Sequence, residues 1–170
     1  HGLSAYTTRG YYYSQGWLEA GPESLWWGPG VRSAIVMSNN AGGFPHLALG
    51  TGGPADLGVG VLEAQWTWGR LAHSDWWDES ITARDRYFTG AVVSVGPTFL
   101  PGLTLGATRV FVRVLPEGRL AASEYLVVLQ GVHKAGRATQ ENPLGDDVHD
   151  QMASVFARWV VTGLEVYAEW

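Results

Sequence analysis

The sequence lacks cysteine altogether, and it holds a single lysine, Lys134, beside ten arginines. Without cysteine the chain forms neither a disulfide framework nor a thiolate metal site. Charged residues make up only 16% of the 170 positions, and the formal net charge is −5. Because nucleic-acid-binding domains are usually basic, this acidic balance predicts no nucleic-acid partner.

Long apolar runs are missing too. No stretch approaches the ~18 consecutive apolar residues of a membrane-spanning helix, which excludes a helical membrane protein. The strands of a membrane β-barrel need only ~9–11 residues and conceal their hydrophobicity by alternation, so that class stays open. His1 is followed directly by polar and aromatic residues instead of a signal sequence. We therefore expect a processed chain or a piece of a longer one.

Glycine and aromatic residues are abundant. The chain has 23 Gly, nine Trp and seven Tyr, and its hydrophobic fraction of 46% is too high for a disordered protein. Apolar residues occupy every second position of Leu62–Trp68, with Glu63, Gln65 and Thr67 between them. The same period of two closes the chain at 164–170. This pattern predicts β-strands that have one apolar and one polar face.

The lengths of the connections constrain the topology. Phe99–Gly102 and Val161–Gly163 are predicted as tight turns, whereas 72–85 and the stretch after Arg113 are long. Short turns at one end and long loops at the other are typical of outer-membrane barrels. If both tight turns lie at one end, only two strands run between them, so Arg113–Val148 must be one connection.

Within that connection, the segment from Ser123 to Lys134 is predicted as a short helix with Ser123 as its cap. A strand at Leu126–Leu129 is the alternative. The chain, a single domain over 1–170, is thus predicted to contain about eight spanning strands. They lie near 2–13, 16–25, 44–50, 59–71, 86–97, 103–113, 148–160 and 164–170.

Four groups of motifs follow one another along the chain. Leu25–Gly30 contains a Trp-Gly-Pro-Gly turn, followed by the apolar run Ala34–Met37, then Ser38–Ala41 and a proline. Further motifs are Pro101–Arg109, Asp147–Ala153 and the closing segments Phe156–Trp159 and Glu165–Trp170. Together they resemble the Wzi family of outer-membrane capsule-assembly proteins. The sequence departs from the family pattern at Gly42 and Gly43, where a bulkier or basic segment is expected, and it is far shorter than family members.

The resemblance implies an all-β fold: an antiparallel transmembrane β-barrel segment, with about 8 strands of a larger barrel of roughly 18 and one short helix in an extracellular loop. A small closed barrel is the alternative. The resemblance also implies a monomer in the bacterial cell outer membrane that serves capsule or exopolysaccharide assembly and surface attachment in a lectin-like way. The expected partners are capsular or exopolysaccharide and outer-membrane lipid. No catalytic residue is associated with the family, so the protein is not expected to be an enzyme. We expect no cofactor and no metal.

Two segments are candidates for carbohydrate binding. In the first, Trp26 and Trp27 precede a structural turn made by Gly28, Pro29 and Gly30. The rings could stack on sugars, settle at the membrane interface or plug the lumen. The two glycines are expected to supply positive φ angles around Pro29.

The polar side chains of Asn39 and Asn40 suit sugar hydroxyls and turn capping equally well. The second candidate segment contains Trp76, Trp77 and Asp78, two aromatic residues beside carboxylates in a predicted outer loop. Such a cluster could hold a sugar or Ca²⁺, or it could form an aromatic belt beside a solvated acidic loop.

The alternation also predicts which side chains face lipid. These are Leu62, Trp66, Trp68, Val155, Trp159, Val166 and Trp170. The charged groups expected to face the lumen at least in part are Glu63, Arg109, Arg113, Arg158, Glu165 and Glu169. Arg109 shares its parity with apolar neighbours, so it must lie beyond the apolar band or follow a β-bulge.

Histidines at 46, 73, 133 and 149 show no metal-binding spacing, and we expect them to be solvated in loops. Two other functions remain open. A porin-like channel requires an open lumen lined by Arg and Glu. A soluble β-sheet glycan-binding domain or glycosidase requires that the apolar face also be covered by protein.

Overall fold

The computed structural model describes residues 9–13, 16–40, 42–72, 85–115, 120–129 and 150–170. Nine strands and one 3₁₀-helix occur in these parts of the chain. The strands are β1 (Arg9–Tyr13), β2 (Gly16–Gly21), β3 (His46–Thr51), β4 (Ala55–Asp56), β5 (Gly60–Leu71), β6 (Arg86–Pro97), β7 (Leu103–Val114), β8 (Asp150–Val161) and β9 (Leu164–Glu169). The 3₁₀-helix covers Ala122–Leu129.

The strands form one antiparallel sheet in the order β1-β2-β3-β5-β6-β7-β8-β9, and the short β4 pairs with β5 outside this path. Among the described residues, β1 and β9 are its two edges, so the sheet formed by these residues is open and does not close into a barrel. No helix in the described parts of the chain has the length and apolar character needed to cross a membrane. The all-β, antiparallel, meander-like fold predicted from the sequence is confirmed.

Most predicted strand bounds agree with the structure to within two residues. The second strand was predicted too long, because β2 ends at Gly21 and not at 25. Pro22 follows directly and has no N–H to donate to the strand ladder. β4 was not predicted, and the predicted first strand is seen only over Arg9–Tyr13, since its beginning lies outside the described residues.

The connections alternate in length between the two ends of the sheet. Gly102 has φ 83° in the turn before β7, and Gly163 has φ 78° in the turn before β9. This left-handed conformation favours glycine, because other residues meet a steric penalty there. We call this end the turn end. The opposite end, the loop end, carries the connections 22–45, 72–85 and 115–149.

The register of the sheet defines two faces. Thr67 pairs with Ala48 on β3 and with Gly90 on β6, and Gly90 pairs in turn with Val110 on β7. Since paired residues lie on the same side and neighbours along a strand alternate, every side chain is assigned to one face.

The face that includes Thr67 is the polar face. Its described residues include Glu19, His46, Glu63, Gln65, Thr67, Ser94, Thr104, Thr108, Ser154, Arg158, Glu165, Tyr167 and Glu169. The other is the apolar face, and its central residues are Leu47, Leu49, Leu62, Ala64, Trp66, Ala91, Val93, Val95, Leu105, Ala107, Val155, Trp159, Val166 and Trp170.

The 3₁₀-helix packs on the apolar face at the loop end. Val127 and Val128 are buried against Phe111, with Trp66 and Ala91 beside them. The helix begins one residue before the predicted Ser123, so Ser123 lies inside it and is not its cap. The alternative strand at 126–129 is wrong, and the predicted extension to Lys134 lies outside the described residues.

Two arginines lie on a different face from the one expected. Arg109 pairs with Ala91 and Arg113 with Tyr87, which places both on the apolar face. The register of β6 and β7 continues without a bulge through this region. Arg109 lies beyond the exposed apolar band, where its guanidinium donates to the carbonyl oxygen of Val128 (3.0 Å) and covers the Phe111 ring at 4.6 Å. The 3₁₀-helix therefore supplies polar partners to charges that were predicted to face the lumen.

Arg113 forms an ion pair with Glu124 of the helix at 2.8 Å, and the side chains are only 8% and 17% exposed. We expect Glu124→Gln to lower the free energy of unfolding by about 3 kcal/mol, because it removes a charged partner from a buried guanidinium. The matched control is Glu165→Gln, whose Arg158 pair also measures 2.8 Å but is 46% and 33% exposed. An exposed pair contributes no more than about 1 kcal/mol. Chemical denaturation followed by tryptophan fluorescence compares the two, and equal losses would contradict the expectation.

Candidate functional site

The connection between β2 and β3, residues 22–45, folds back over the polar face. We call it the inner segment, and the structure describes it at 22–40 and 42–45. Its two arms are joined by a bridge in which the N–H of Trp27 donates to the carbonyl oxygen of Met37 at 3.0 Å. Val36, Met37 and Phe44 pack with Leu25 and Trp27 against Phe88 and Val110 of the sheet. The inner segment thus forms a second layer over one face of the sheet.

Trp27 is the centre of this layer, with only 2% of its surface exposed. Its Nε1 donates to Oε1 of Gln65 at 3.1 Å, and its ring lies 6.2 Å from that of Phe88. A Cβ atom at Gly90 would stand 2.8 Å from the indole, so the missing side chain of Gly90 makes room for the ring. The ring is enclosed between the inner segment and the sheet and presents no free face on which a sugar could stack.

The inner segment also reaches the far edge of the sheet. The backbone N–H of Ile35 donates to Oε2 of Glu169 at 3.0 Å. The other carboxylate oxygen, Oε1, accepts a hydrogen bond from Ser154 at 2.8 Å, so β8 holds Glu169 in place. A Cβ atom at Gly28 would lie 2.9 Å from the same Oε2. The segment therefore spans the polar face from β2 to β9.

The two glycines of the Trp-Gly-Pro-Gly turn differ in conformation. Gly28 has a positive φ of 157°, as predicted, whereas Gly30 does not and is explained by close approach alone. A Cβ atom at Gly30 would overlap the carbonyl oxygen of Ser33, and one at Gly28 would lie 2.8 Å from Cβ of Ala34. Pro29 between them is buried. The chain folds on itself so tightly here that side chains have no room.

The remaining candidate residues differ in accessibility. Trp26 is half-buried, and Asn39 and Asn40 are exposed. Trp76, Trp77 and Asp78 lie outside the described residues. Trp26, Asn39 and Asn40 are therefore the described members of the predicted carbohydrate-binding set that solvent can reach, and their binding role stays a prediction.

Carboxylates on the polar face have protein partners. Glu165 accepts a hydrogen bond from Nε of Arg158 at 2.8 Å, and both oxygens of Glu169 accept hydrogen bonds as described above. Deeper in the face, the hydroxyls of Thr108 and Ser154 share a hydrogen bond of 2.5 Å. Glu63, Glu165, Glu169 and Arg158 lie on the polar face as predicted. Arg158 and Glu165 join β8 to β9, and Glu169 joins the inner segment to the sheet.

One further cluster lies where the inner segment leaves the sheet, and sequence reasoning missed it. His46 opens β3 and is 7% exposed, so the expectation that it is solvated in a loop was wrong. Ligand atoms of Glu19, Glu23 and His46 lie within 4.8 Å of one another. Their sequence spacing matches no metal motif, because they come from a strand, a loop and the next strand. The available signal in the sequence was that Glu19 and Glu23 stand two residues before and after Gly21, the last residue of β2.

Comparison with known proteins agrees with this architecture. No curated protein and no solved structure matches the chain. The family model described as capsule assembly protein Wzi matches residues 5–170, which include the inner segment and all nine strands. The chain therefore belongs to the Wzi family of capsule assembly proteins.

Proposed function

We propose that this chain is part of an outer-membrane β-barrel that holds capsular or exopolysaccharide at the bacterial cell surface, as a lectin-like protein without catalytic activity. Membership of a capsule-assembly family supports the process. The apolar face of the sheet is the single observation that carries the membrane location. The inner segment and the exposed residues beside it support a surface-attachment role.

The apolar face has the character of a lipid-facing wall. Side chains on β3, β6, β7, β8 and β9 expose about 40–54% of their surface there, namely Leu47, Leu49, Val93, Val95, Leu105, Val155, Trp159 and Val166. Within the described parts of the chain, only the 3₁₀-helix packs on this face, and it does so at the loop end. Water-soluble proteins rarely expose so wide an apolar surface, and the outer wall of a membrane barrel is expected to.

The inner segment favours a plugged lumen over a porin-like channel. An open channel requires a polar lining in contact with water, but Trp27 and the apolar residues around it cover Thr67, Gly90 and Val110, which are all buried. The segment extends to Glu169 on the far edge of the sheet. In a closed barrel, a layer of this extent would obstruct the passage.

The candidate glycan contacts are Trp26, Asn39, Asn40, Trp76, Trp77 and Asp78. Exposed amides both donate and accept hydrogen bonds, as sugar hydroxyls do, and aromatic faces pack on sugar rings. Trp27 is left out of this set because its ring is buried, and we assign it to the plug. The absence of catalysis is proposed because Glu165 and Glu169, two polar-face carboxylates that a glycosidase pair with Glu63 would need, are engaged by Arg158, Ser154 and the backbone of Ile35.

A pair of neighbouring lysine substitutions tests the membrane location. Leu105 is on the apolar face and 42% exposed, whereas the adjacent Thr104 is on the polar face. We expect Leu105→Lys to destabilise the protein by about 2–4 kcal/mol in lipid bilayers, because it puts a charge into hydrocarbon. Thr104→Lys is the control, and we expect it to lower the free energy of unfolding by less. Equilibrium unfolding in lipid vesicles measures this free energy for both variants. If Leu105→Lys leaves it unchanged, the result would point to a water-soluble protein.

Polysaccharide retention tests the lectin-like role. A strain that lacks the gene is complemented with wild type, with Asn39→Ala/Asn40→Ala or with Trp76→Ala/Trp77→Ala, and cell-bound and shed polysaccharide are compared. We expect either double variant to shift polysaccharide from the cells to the medium several-fold, with unchanged polymer length. Phe99→Ala is the control, because Phe99 is 82% exposed but lies at the turn end. Normal retention by both double variants would reject these contacts, and shortened polymer would indicate a hydrolase.

Conductance in planar bilayers separates the plugged barrel from a channel. We expect the wild-type protein to show little current, since the inner segment covers the polar face. Replacing 24–42 by a short Gly-Ser linker would raise the conductance severalfold. The control replaces residues 116–119, in the connection after β7, by the same number of Gly and Ser residues. This change leaves the inner segment unaltered. Porin-like current through the wild-type protein would contradict the plugged state.

A further inference from the structure

We propose that Glu19, Glu23 and His46 bind a Zn²⁺ ion that fastens the base of the inner segment to strands β2 and β3. The base is the point at which the segment leaves β2 after Gly21 and returns to β3 at His46, and these two residues are directly paired. The strand register places Glu19 diagonally next to His46 on the polar face. Glu23 follows in the first turn of the segment. Ligand atoms of all three lie within 4.8 Å of one another.

The hydrogen bond made by His46 fixes which ring nitrogen is available. Nδ1 lies 2.8 Å from the carbonyl oxygen of Phe44. A carbonyl only accepts, so Nδ1 carries the proton and Nε2 keeps its lone pair. Backbone carbonyls hold metal-binding histidines in this tautomer in many proteins. The lone pair of His46 Nε2 is therefore available to coordinate a metal ion.

Nε2 of His46 is buried and has no hydrogen-bond partner among the described residues. The side chain is more than nine-tenths buried, with 7% exposure, and the Phe44 ring packs beside it at 5.3 Å. A buried polar atom without a partner is destabilising. A cation in this position gives Nε2 a partner and offsets the repulsion between the two glutamates.

The donor set identifies the class of ion. One imidazole nitrogen with two carboxylates, in a chain without cysteine, suits a borderline divalent ion such as Zn²⁺ better than Ca²⁺ or Mg²⁺, which take oxygen ligands. Three protein ligands leave one tetrahedral position for water. The structure thus offers an open, three-ligand site.

Gly43 shapes this base. A Cβ atom at Gly43 would overlap the carbonyl oxygen of Pro22 and lie 2.5 Å from the carbonyl carbon of Glu23. The two arms of the inner segment therefore touch backbone to backbone, and the contact sets Glu23 beside His46. A bulkier residue at 43 would separate the arms and remove Glu23 from the cluster.

Zinc titration tests the site. The protein, prepared without a histidine tag and stripped with EDTA, is titrated with Zn²⁺ in detergent micelles against a chelating dye, and Co²⁺ absorption reports the ligand field. We expect one saturable site, with affinity lowered at least tenfold by His46→Gln and by Glu23→Gln. Glu63→Gln and Glu165→Gln are the controls, since Glu63 on β5 and Glu165 on β9 lie elsewhere on the polar face. Both are expected to bind as wild type does.

Folding of each variant is checked by circular dichroism. Glu23 is exposed, so Glu23→Gln provides the test if His46→Gln does not fold. The proposal is overturned if the wild-type protein shows no saturable Zn²⁺ binding, or if a folded cluster variant binds as tightly as the controls.

Discussion

The unbroken antiparallel register of β5, β6, β7 and β8 is the constraint on which the rest of the structure depends. Twelve-residue strands run in register without a bulge between β6 and β7, so one parity assigns every side chain to a face. A slip by one residue would exchange the faces and expose Glu63 and Thr67 where Leu62 and Trp66 now lie. Each face then needs its own covering. The polar face receives the inner segment, whereas the apolar face is left open except at the loop end.

Patterns that are local in the sequence were predicted well. The alternation around Leu62–Trp68 predicted β5 and its two faces. The glycine turns before β7 and β9 predicted which connections are short. The parity argument that treated 113–148 as one connection also holds, because β7 and β8 pair directly along their length. These features depend on neighbours along the chain or on the strict period of a strand, and sequence alone contains both.

The positions that sequence reasoning misplaced depend on contacts between distant segments. Nothing in the sequence around Trp26 and Trp27 indicates which of the two rings is buried. That choice is made by Gly90, 63 positions later, which leaves space for one ring. Arg109 was expected to face the lumen because charges avoid lipid, but a helix from the next connection covers it instead. His46 lacks a motif because its neighbours in the cluster come from separate elements.

Glycines without a positive φ connect these observations. Gly90 and Gly106 lie in strand interiors, where glycine normally weakens a sheet. At each of them an aromatic ring fills the space of the missing side chain: Trp27 at Gly90 and Phe156 at Gly106. Trp27 thus brings the covering layer close to the sheet at Gly90, whereas Phe156 belongs to β8 and packs within the sheet. The two ends of the inner segment have their own contacts with the sheet. Glu169 fixes the distant turn through Ile35, and the cluster at the base is the corresponding point at the other end. An inner segment held at both ends keeps its exposed residues, Asn39 and Asn40 among them, in place for the glycan contact that we propose.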